Sequence, residues 1–153
     1  MAMEETLSRI RFAASNAGAR AERAQQIADV LRALGPYRWV GVYDVGAKLV
    51  SIIAWSGLCA PAYPTFPVTK GLTGSAIREK SSVVVGDARR DSRYLTAFGN
   101  TISEIIIPIV DPRNSQVVGT IDVESDRANA FSDRDRKALE QCAEAALAFW
   151  IAG

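Results

Sequence analysis

The sequence predicts a single α+β domain, in which an antiparallel sheet is combined with a helix at each end of the chain. Apolar residues recur at helical spacing over residues 5–34 and again after Ser132. Between these segments the chain consists of short β-branched runs separated by glycine and proline turns, a pattern typical of strands. With 153 residues, the chain is long enough for one ordinary domain with a core and one pocket.

The first predicted element is one long helix over residues 5–34, with Gly18 marking where a break would fall. The Gly35-Pro36 pair ends it, because proline cannot continue the backbone hydrogen bonds. Alanine dominates the middle of the apolar stripe and permits close approach by another helix. The stripe consists of Leu7, Ile10, Ala14, Ala17, Ala21, Ala24, Ala28, Leu31 and Leu34.

The core over residues 36–131 begins with shorter elements. Prolines at positions 61, 64 and 67 deny regular ladder hydrogen bonds to the segment between the first strands and the next helix, so this loop can line a pocket. The predicted elements are a hairpin of Tyr37–Tyr43 and Leu49–Ala54, a loop at 56–67, a glycine turn opening a short helix over 70–80, a strand at Ser82–Val85, and a loop at 87–100.

Two further strands, Glu104–Ile109 and Val117–Glu124, carry three acidic residues. Side chains alternate across a strand, so Glu104 lies on the face opposite to its isoleucine neighbours, and Asp122 shares a face with Glu124. If these two faces coincide, the three carboxylates form a negative patch that suits an ammonium group. The alternative is that the acids are the solvent side of a half-buried antiparallel sheet.

The last element is a helix over residues 132–151. Ser132 is an N-cap, and Asp133 and Asp135 follow where the helix dipole favours negative charge. Cys142 falls on the apolar stripe and is interpreted as a packing residue rather than a nucleophile. The stripe consists of Leu139, Cys142, Ala143, Ala146, Leu147 and Trp150.

Composition excludes several classes of function. The 18 basic and 17 acidic residues nearly cancel, which disfavours nucleic acid and anionic membranes as partners. The absence of histidine removes the commonest zinc ligand and the commonest general base, so no metal site, cofactor or catalytic triad is predicted. Cys59 and Cys142 are interpreted as independent thiols of a cytoplasmic protein, and the chain carries neither a signal peptide nor a membrane span.

The order of elements and five local motifs resemble the GAF domain over nearly the whole chain. They are most similar to the free methionine-(R)-sulfoxide reductase branch. The resemblance implies an antiparallel sheet with helices, including both terminal helices, packed on one side and a ligand pocket on the other. The motifs are Trp39-Val-Gly-Val-Tyr43, Gly71-Leu-Thr-Gly-Ser-Ala76, Ser103-Glu-Ile-Ile-Ile-Pro-Ile109, Gly119-Thr-Ile-Asp-Val-Glu-Ser125 and Phe131-Ser-Asp-Arg-Asp135.

The reductases of this branch use a thiolate and a resolving thiol, which must lie close together. Alignment with the branch places Tyr63, Thr73 and Ala97 where the family has cysteines, so no catalytic residue is predicted. Cys59 could approach the pocket, but it has no resolving partner there. The three acids match those that hold the substrate amino group in the reductases, although Glu124 is one methylene longer than the aspartate expected at its position.

The sequence therefore predicts a domain that binds or senses a small, amine-bearing metabolite. The alternatives are a reductase-like enzyme with a non-standard thiol arrangement, and a structural domain whose pocket has closed. A homodimer through the terminal helices is expected, unless both apolar stripes pack within one monomer. Aromatic candidates for the pocket wall, Phe66 among them, are also candidates for the core, where such residues are more common. The predicted ligand-binding residues are Glu104, Asp122, Glu124, Trp55, Tyr63, Thr73, Tyr94 and Phe98.

Overall fold

The computed structural model describes residues 2–94 and 100–151. Within these residues the helices are α1 (Met3–Ser15), α2 (Arg20–Arg32), α3 (Gly71–Glu79) and α4 (Asp133–Ala146). The strands are β1 (Trp39–Val45), β2 (Leu49–Ser56), β3 (Thr65–Pro67), β4 (Val83–Val85), β5 (Ser103–Asp111) and β6 (Gln116–Ser125).

These six strands form one antiparallel sheet in the order β3-β2-β1-β6-β5-β4. The predicted α+β class is confirmed. The hairpins β1–β2 and β5–β6 lie where the alternating apolar runs predicted them, and the predicted loop at 56–67 contains the short edge strand β3. The sequence did not indicate this strand because Pro64 precedes it and Pro67 is its last residue, and prolines in a sheet are tolerated at such an edge.

The single helix predicted over residues 5–34 is wrong, because the chain breaks between Ser15 and Arg20. Asn16 leaves the helical conformation, and its side-chain oxygen accepts a hydrogen bond from Gly18 N at 2.7 Å. The Arg23 guanidinium donates to the carbonyl oxygens of Ala13 and Ala14, which satisfies acceptors that the end of α1 leaves open. The break lies where Gly18 marked it, and it lets α1 fold back against α2.

One face of the sheet carries the main core. Val40, Val42, Ile105, Ile121 and Val123 project from three neighbouring strands and are at most barely exposed. Helices α2 and α4 pack on this face, and α1 packs on both of them. The alanines at the centre of the predicted stripe allow this close approach, since Ala14, Ala24 and Ala28 are fully buried. We call this side of the sheet the helix face.

The predicted C-terminal helix over 132–151 is α4 followed by a 3-10 turn at Leu147–Phe149. Ser132 caps it as predicted, in a capping box with Asp135. Cys142 is fully buried in the core of the helix face, which confirms its interpretation as a packing residue. After the turn, the indole nitrogen of Trp150 donates to the carbonyl oxygen of Tyr43 in β1 at 3.2 Å.

Helix α3 lies on the opposite face of the sheet, which we call the pocket face. Leu72 and Ala76 of α3 pack with Val83 and Val85 of β4 and with Ile106 of β5. The α-helices of the described chain are therefore divided, with α1, α2 and α4 on one side and α3 covering the pocket on the other. None of the helices in the described residues is long and apolar enough to cross a membrane.

Candidate functional site

The three predicted acids meet on the pocket face. In the β5–β6 register Glu104 is opposite Glu124, and Ile106 is opposite Asp122, so all three carboxylates project from the same side. One oxygen from each lies within 4.8 Å of the other two. The exposed fractions of Glu104, Asp122 and Glu124 are 5%, 7% and 0%. The alternative of a solvated sheet face is therefore wrong. We call these three residues the acid cluster.

The acid cluster is only partly satisfied by hydrogen bonds. Thr101 Oγ1 donates to Glu124 Oε1 at 2.7 Å, and the Tyr94 hydroxyl lies 3.5 Å from the same oxygen. Buried oxygens without a hydrogen-bond partner among the described atoms remain on each acid: Glu104 Oε2, Asp122 Oδ1 and Glu124 Oε2. No lysine or arginine in residues 2–94 and 100–151 forms an ion pair with the cluster. Buried acceptors of this kind favour a ligand that brings donors.

Burial perturbs the protonation of all three acids. Desolvation and then the neighbouring carboxylates raise the pKa of Glu104 and the pKa of Asp122 well above their usual range. Burial raises the pKa of Glu124 to about 7, opposed by hydrogen bonds from Thr101 and Tyr94 and by the charge of Arg38. The neighbouring Asp122 side chain raises the pKa of Glu104 further, and Glu104 opposes the rise at Asp122.

A cavity of about 30 Å³ lies directly above Glu104 and Asp122. Glu124 supports the floor beside the cavity without lining it. The other lining residues come from β1, the 57–64 loop, β3, α3 and the chain after Asp91: Tyr43, Pro61, Tyr63, Phe66, Gly71, Leu72, Thr73 and Tyr94.

The predicted wall residues divide into three groups. Tyr63, Phe66, Thr73 and Tyr94 line the cavity. Trp55 does not line the cavity. It is opposite Gly41 on the pocket face, but it packs against the hydrophobic cluster that contains Trp39 and Val50. Phe98, and Ala97 at the aligned position of a family cysteine, lie outside the described residues.

Sequence reasoning missed several residues of the site, namely Tyr43 and Thr101 beside the acid cluster and Pro61, Gly71 and Leu72 in the cavity wall. Tyr43 lines the cavity, and the signal that could have found it is the alternation in β1, which puts Tyr43 on the face of Gly41, opposite Asp122. Thr101 binds Glu124 from a loop, and no spacing in the sequence marks it. Tyr43 and Thr101 both act on the acid cluster from elements other than β5 and β6.

Gly41 leaves room for two aromatic rings beside the pocket, those of Trp39 and Tyr43. A Cβ atom at this position would lie 2.4 Å from Cη2 of Trp39 and 2.7 Å from Cε1 of Tyr43. The two rings close over the strand, with centroids 6.5 Å apart, only because position 41 has no side chain. The aromatic pair of Trp39 and Tyr43 on β1 therefore lies next to the acid cluster on β5 and β6.

The N-terminus of α3 faces the same cavity. Gly71, Leu72 and Thr73 all line it, and Lys70 at the N-cap provides no side-chain cap. The first N–H groups of a helix have no intrahelical acceptor and carry a partial positive charge. The carboxylates of Glu104 and Asp122 and the N-terminus of α3 therefore border the same cavity. This arrangement suits a ligand with a cationic and an anionic group.

The two thiols lie in different environments. Cys59 is exposed in the 57–64 loop, where its carbonyl oxygen accepts a hydrogen bond from Trp39 Nε1 at 3.0 Å. Cys142 is buried among the helices of the helix face, and burial raises the pKa of its thiol to about 11. The described cavity has no thiol in its wall. The chemistry this arrangement offers is binding of a cation, either an ammonium group or a metal ion, rather than dithiol exchange.

Comparison with known proteins agrees with this description. The GAF domain family model matches residues 19–148. GAF domain-containing protein A of Dictyostelium discoideum is 28% identical over 104 residues, which cover 67% of this chain and 63% of that protein. Free methionine-R-sulfoxide reductase of Saccharomyces cerevisiae is 29% identical over 75 residues, covering 49% of this chain and 41% of that protein. The chain thus spans less than two thirds of these relatives.

Solved structures agree on the fold. The free methionine-R-sulfoxide reductase of Neisseria meningitidis, in complex with its substrate, superposes with a TM-score of 0.84 at 23% identity, covering 96% of this chain and 87% of that chain. At this identity the likeness establishes the fold alone. The family model, by contrast, covers most of the sequence, and the chain therefore belongs to the GAF domain family.

Proposed function

We propose that this GAF domain binds a small metabolite through its amino group and acts as a binding or sensing module. The observation that carries the proposal is the acid cluster, in which three buried carboxylates converge and each keeps an oxygen without a described partner. An ammonium group has three donors and one positive charge, so it can satisfy these acceptors and reduce their mutual repulsion.

The structure also supports an anionic group on the same ligand. The uncapped N-terminus of α3 lies in the cavity wall beside Thr73, where backbone N–H groups can receive a carboxylate. A ligand with its ammonium on Glu104 and Asp122 and its carboxylate toward Gly71 is a free amino acid or a close relative. The aromatic walls at Tyr43 and Phe66 would then contact its side chain.

The relatives support the same class of ligand. The substrate named for the reductases is free methionine-R-sulfoxide, which carries an amino group. In this chain the positions aligned with the family cysteines hold Tyr63, Thr73 and Ala97. We infer that the binding chemistry is retained while the thiol chemistry is absent, so the domain holds its ligand without reducing it.

The experiment begins with mass spectrometry of small molecules released from purified protein. Calorimetry then compares the released amine, or L-methionine and its sulfoxide as probes, on wild type, Glu104→Gln and Asp122→Asn. Loss of one partner of a buried charge pair costs about 2–5 kcal/mol of affinity, so both variants should bind far more weakly. Asp126→Asn is the matched control, because Asp126 is an exposed carboxylate just beyond β6.

Three outcomes would contradict this proposal. Equal affinities in all three variants would mean that the acid cluster does not contact the ligand. An anionic or wholly apolar molecule in the released material would remove the reason for assigning an amine. Parallel titrations with Mg²⁺ and Ca²⁺ test whether the acid cluster binds a metal ion instead of an amine. Tight binding of either ion, together with no binding of any amine, would assign the cluster to a metal.

A reductase-like activity is the second candidate, favoured by the names of the relatives and by Cys59, which is exposed in the loop that supplies Pro61 and Tyr63 to the cavity. We expect no turnover of free methionine-(R)-sulfoxide above a no-enzyme control with dithiothreitol or thioredoxin. Cys59 has no second thiol near it, since Cys142 is buried in the core of the helix face. Robust turnover that disappears in Cys59→Ser would establish a one-cysteine mechanism resolved by the external thiol.

The homodimer through the terminal helices and the cytoplasmic location both remain proposals. Part of the apolar surface expected to form the dimer is occupied within the monomer, because Ala14 and Ala24 are buried and Trp150 is bonded to β1. Phe12, 69% exposed on α1, is the strongest remaining support. Sedimentation at tens of micromolar should show a dimer that Phe12→Asp dissociates, and a monomeric wild type would reject the proposal.

A further inference from the structure

We propose that the acid cluster holds at least one proton when the pocket is empty and releases it to solvent when a cationic ligand enters. This inference rests on the proposed function, because it concerns how the same site takes up its amine. It adds a property that amine binding alone does not require: the ligand competes with protons, so occupancy of the domain depends on pH as well as on ligand concentration.

The geometry makes a fully ionised empty pocket unfavourable. The carboxylates of Glu104, Asp122 and Glu124 have oxygens within 4.8 Å of one another, and each residue is more than nine-tenths buried. Like charges at this separation repel strongly where water cannot screen them. A proton shared between two carboxylates removes one charge without any movement of the chain, and an entering ammonium makes that proton unnecessary.

The surroundings do not supply the missing positive charge. Arg38 acts on Glu124, to which it is joined only through backbone atoms, its N–H donating to the Glu124 carbonyl oxygen at 3.0 Å. Asp91 adds a further negative charge that acts on Glu104, and its own ion pair is with Arg93. The side chains of residues 95–99 are Leu, Thr, Ala, Phe and Gly, none of which ionises. The titratable or charged groups that face the cluster from each element are Tyr43, Tyr63, Tyr94, Asp91 and Arg38.

The sign of the pH dependence follows from the direction of these shifts. Burial holds the pKa of each acid in the empty pocket above its ordinary value, to about 7 for Glu124 and well above the usual range for the other two. A bound cation lowers those pKa values again. Amine binding therefore strengthens as pH rises, by about tenfold per pH unit where one proton is released, until the amine itself loses its proton.

Calorimetry of L-methionine, or of the released amine, in phosphate and in HEPES at pH 7 tests this directly. Released protons are taken up by the buffer, so the observed enthalpies should differ by the difference in buffer ionisation enthalpy multiplied by about one proton per ligand. Asp126→Asn should give the same proton number. Glu104→Gln should reduce it, because its amide cannot hold the shared proton.

The outcomes separate this inference from the proposed function. Binding with the same enthalpy in both buffers and no change in affinity between pH 6 and pH 8 would overturn proton release while leaving the amine site intact. Absence of amine binding at every pH would overturn the proposed function. Infrared spectra of the empty protein then decide the remaining point: a protonated carboxylic acid band at pH 7 that is weakened in Glu104→Gln supports the held proton, and its absence from wild type overturns it.

Discussion

The two faces of the sheet are made by alternating residues of the same strands, yet they differ in almost every physical property. On the helix face Ile105, Ile121 and Val123 are buried in the core beneath the helices, and their side chains carry no polar atom that needs a partner. On the pocket face Glu104, Asp122 and Glu124 are equally buried, and each leaves an oxygen unsatisfied among the described atoms. The stabilising core and the proposed binding site therefore lie on opposite faces of the sheet, because side chains alternate along a β-strand.

The difference teaches that burial alone does not identify a stabilising contact. Each isoleucine on the helix face contributes favourable transfer energy when it leaves water. Each carboxylate on the pocket face loses its hydration without gaining a full set of hydrogen bonds, which lowers the stability of the folded protein. This cost is the property expected of the proposed ligand site. Mutations of apolar residues on the helix face should lower the stability of the protein, whereas removal of a buried charge on the pocket face should raise it.

The largest effect is expected on the helix face. Ile121→Ala should lower the free energy of unfolding by about 2–5 kcal/mol, because it deletes fully buried methyl groups between the sheet and its helices. Urea denaturation measures it, and amine affinity of the folded fraction should be unchanged. Val84→Ala, at a position 41% exposed, is the matched control and should be nearly neutral. A comparable loss in both variants would mean that the helix face is not the main core.

A pH experiment on the ligand-free protein tests the pocket face. Because the folded pKa of Glu124 is raised from 4.5 to about 7, the folded state holds more protons than the unfolded state between these values. Wild-type stability should therefore fall as pH rises from about 4.5 through 7. Glu124→Gln lacks this loss, so at pH 8 it should be more stable than wild type by about 3 kcal/mol, and at pH 4 the difference should vanish.

The control for this experiment is Asp126→Asn, which should follow the wild-type profile throughout. The contrary result is a Glu124→Gln variant that is less stable than wild type at pH 8, which would mean that the Thr101 hydrogen bond outweighs the cost of burying the charge.

An intermediate effect is expected where the two faces share a strand. Gly41→Ala places a Cβ against the Trp39 and Tyr43 rings, and overpacking of this kind costs about 1–3 kcal/mol. The rings must move into the cavity or away from it, so amine affinity should fall together with stability. Gly46→Ala in the β1–β2 turn, where the nearest atom to the added Cβ is 3.4 Å away, is the control. An unchanged amine affinity of Gly41→Ala, measured by calorimetry, would show that the Trp39 and Tyr43 rings do not contact the ligand.

The smallest effect is expected at the N-terminus of α4, on the helix face and remote from the acids. Ser132→Ala removes a capping box and should destabilise the protein by about 1 kcal/mol. Thermal unfolding measures the shift, with the exposed Ser92→Ala as the control. The proton number of amine binding should not change, and a change would show that the two faces are coupled through α4.

Sequence reasoning predicted the helix face better than the pocket face, for a physical reason. Apolar periodicity reports which residues are buried, and it located β5, β6 and α4 within a few residues. It could also place Asp122 and Glu124 on one face of a strand. Whether Glu104 shares that face depends on the register between strands, which the turn after Asp111 and the irregularity between Ile109 and Val110 determine.

The burial of the acids could not be read from spacing. It results from α3 and the 57–64 loop, which cover the pocket face through contacts distant in sequence. The sequence marked a break near Gly18 but favoured one continuous helix, since the alanine stripe continues across it and periodicity does not register the local hydrogen bond to Asn16. Thr101 could not be predicted, because nothing in the sequence distinguishes the loop hydroxyl that donates to Glu124 from the other loop hydroxyls.

The Trp150 hydrogen bond gives the protein an optical reporter of its own pocket. The ring of Tyr43 lines the cavity, while its carbonyl oxygen accepts from the indole nitrogen of Trp150 at 3.2 Å. Gly119 leaves the space that the indole occupies, since a Cβ there would lie 2.2 Å from Trp150 Nε1. Any ligand that displaces the Tyr43 backbone changes the polarity around that indole, so the emission of the last tryptophan in the chain can be followed as a label-free signal of occupancy.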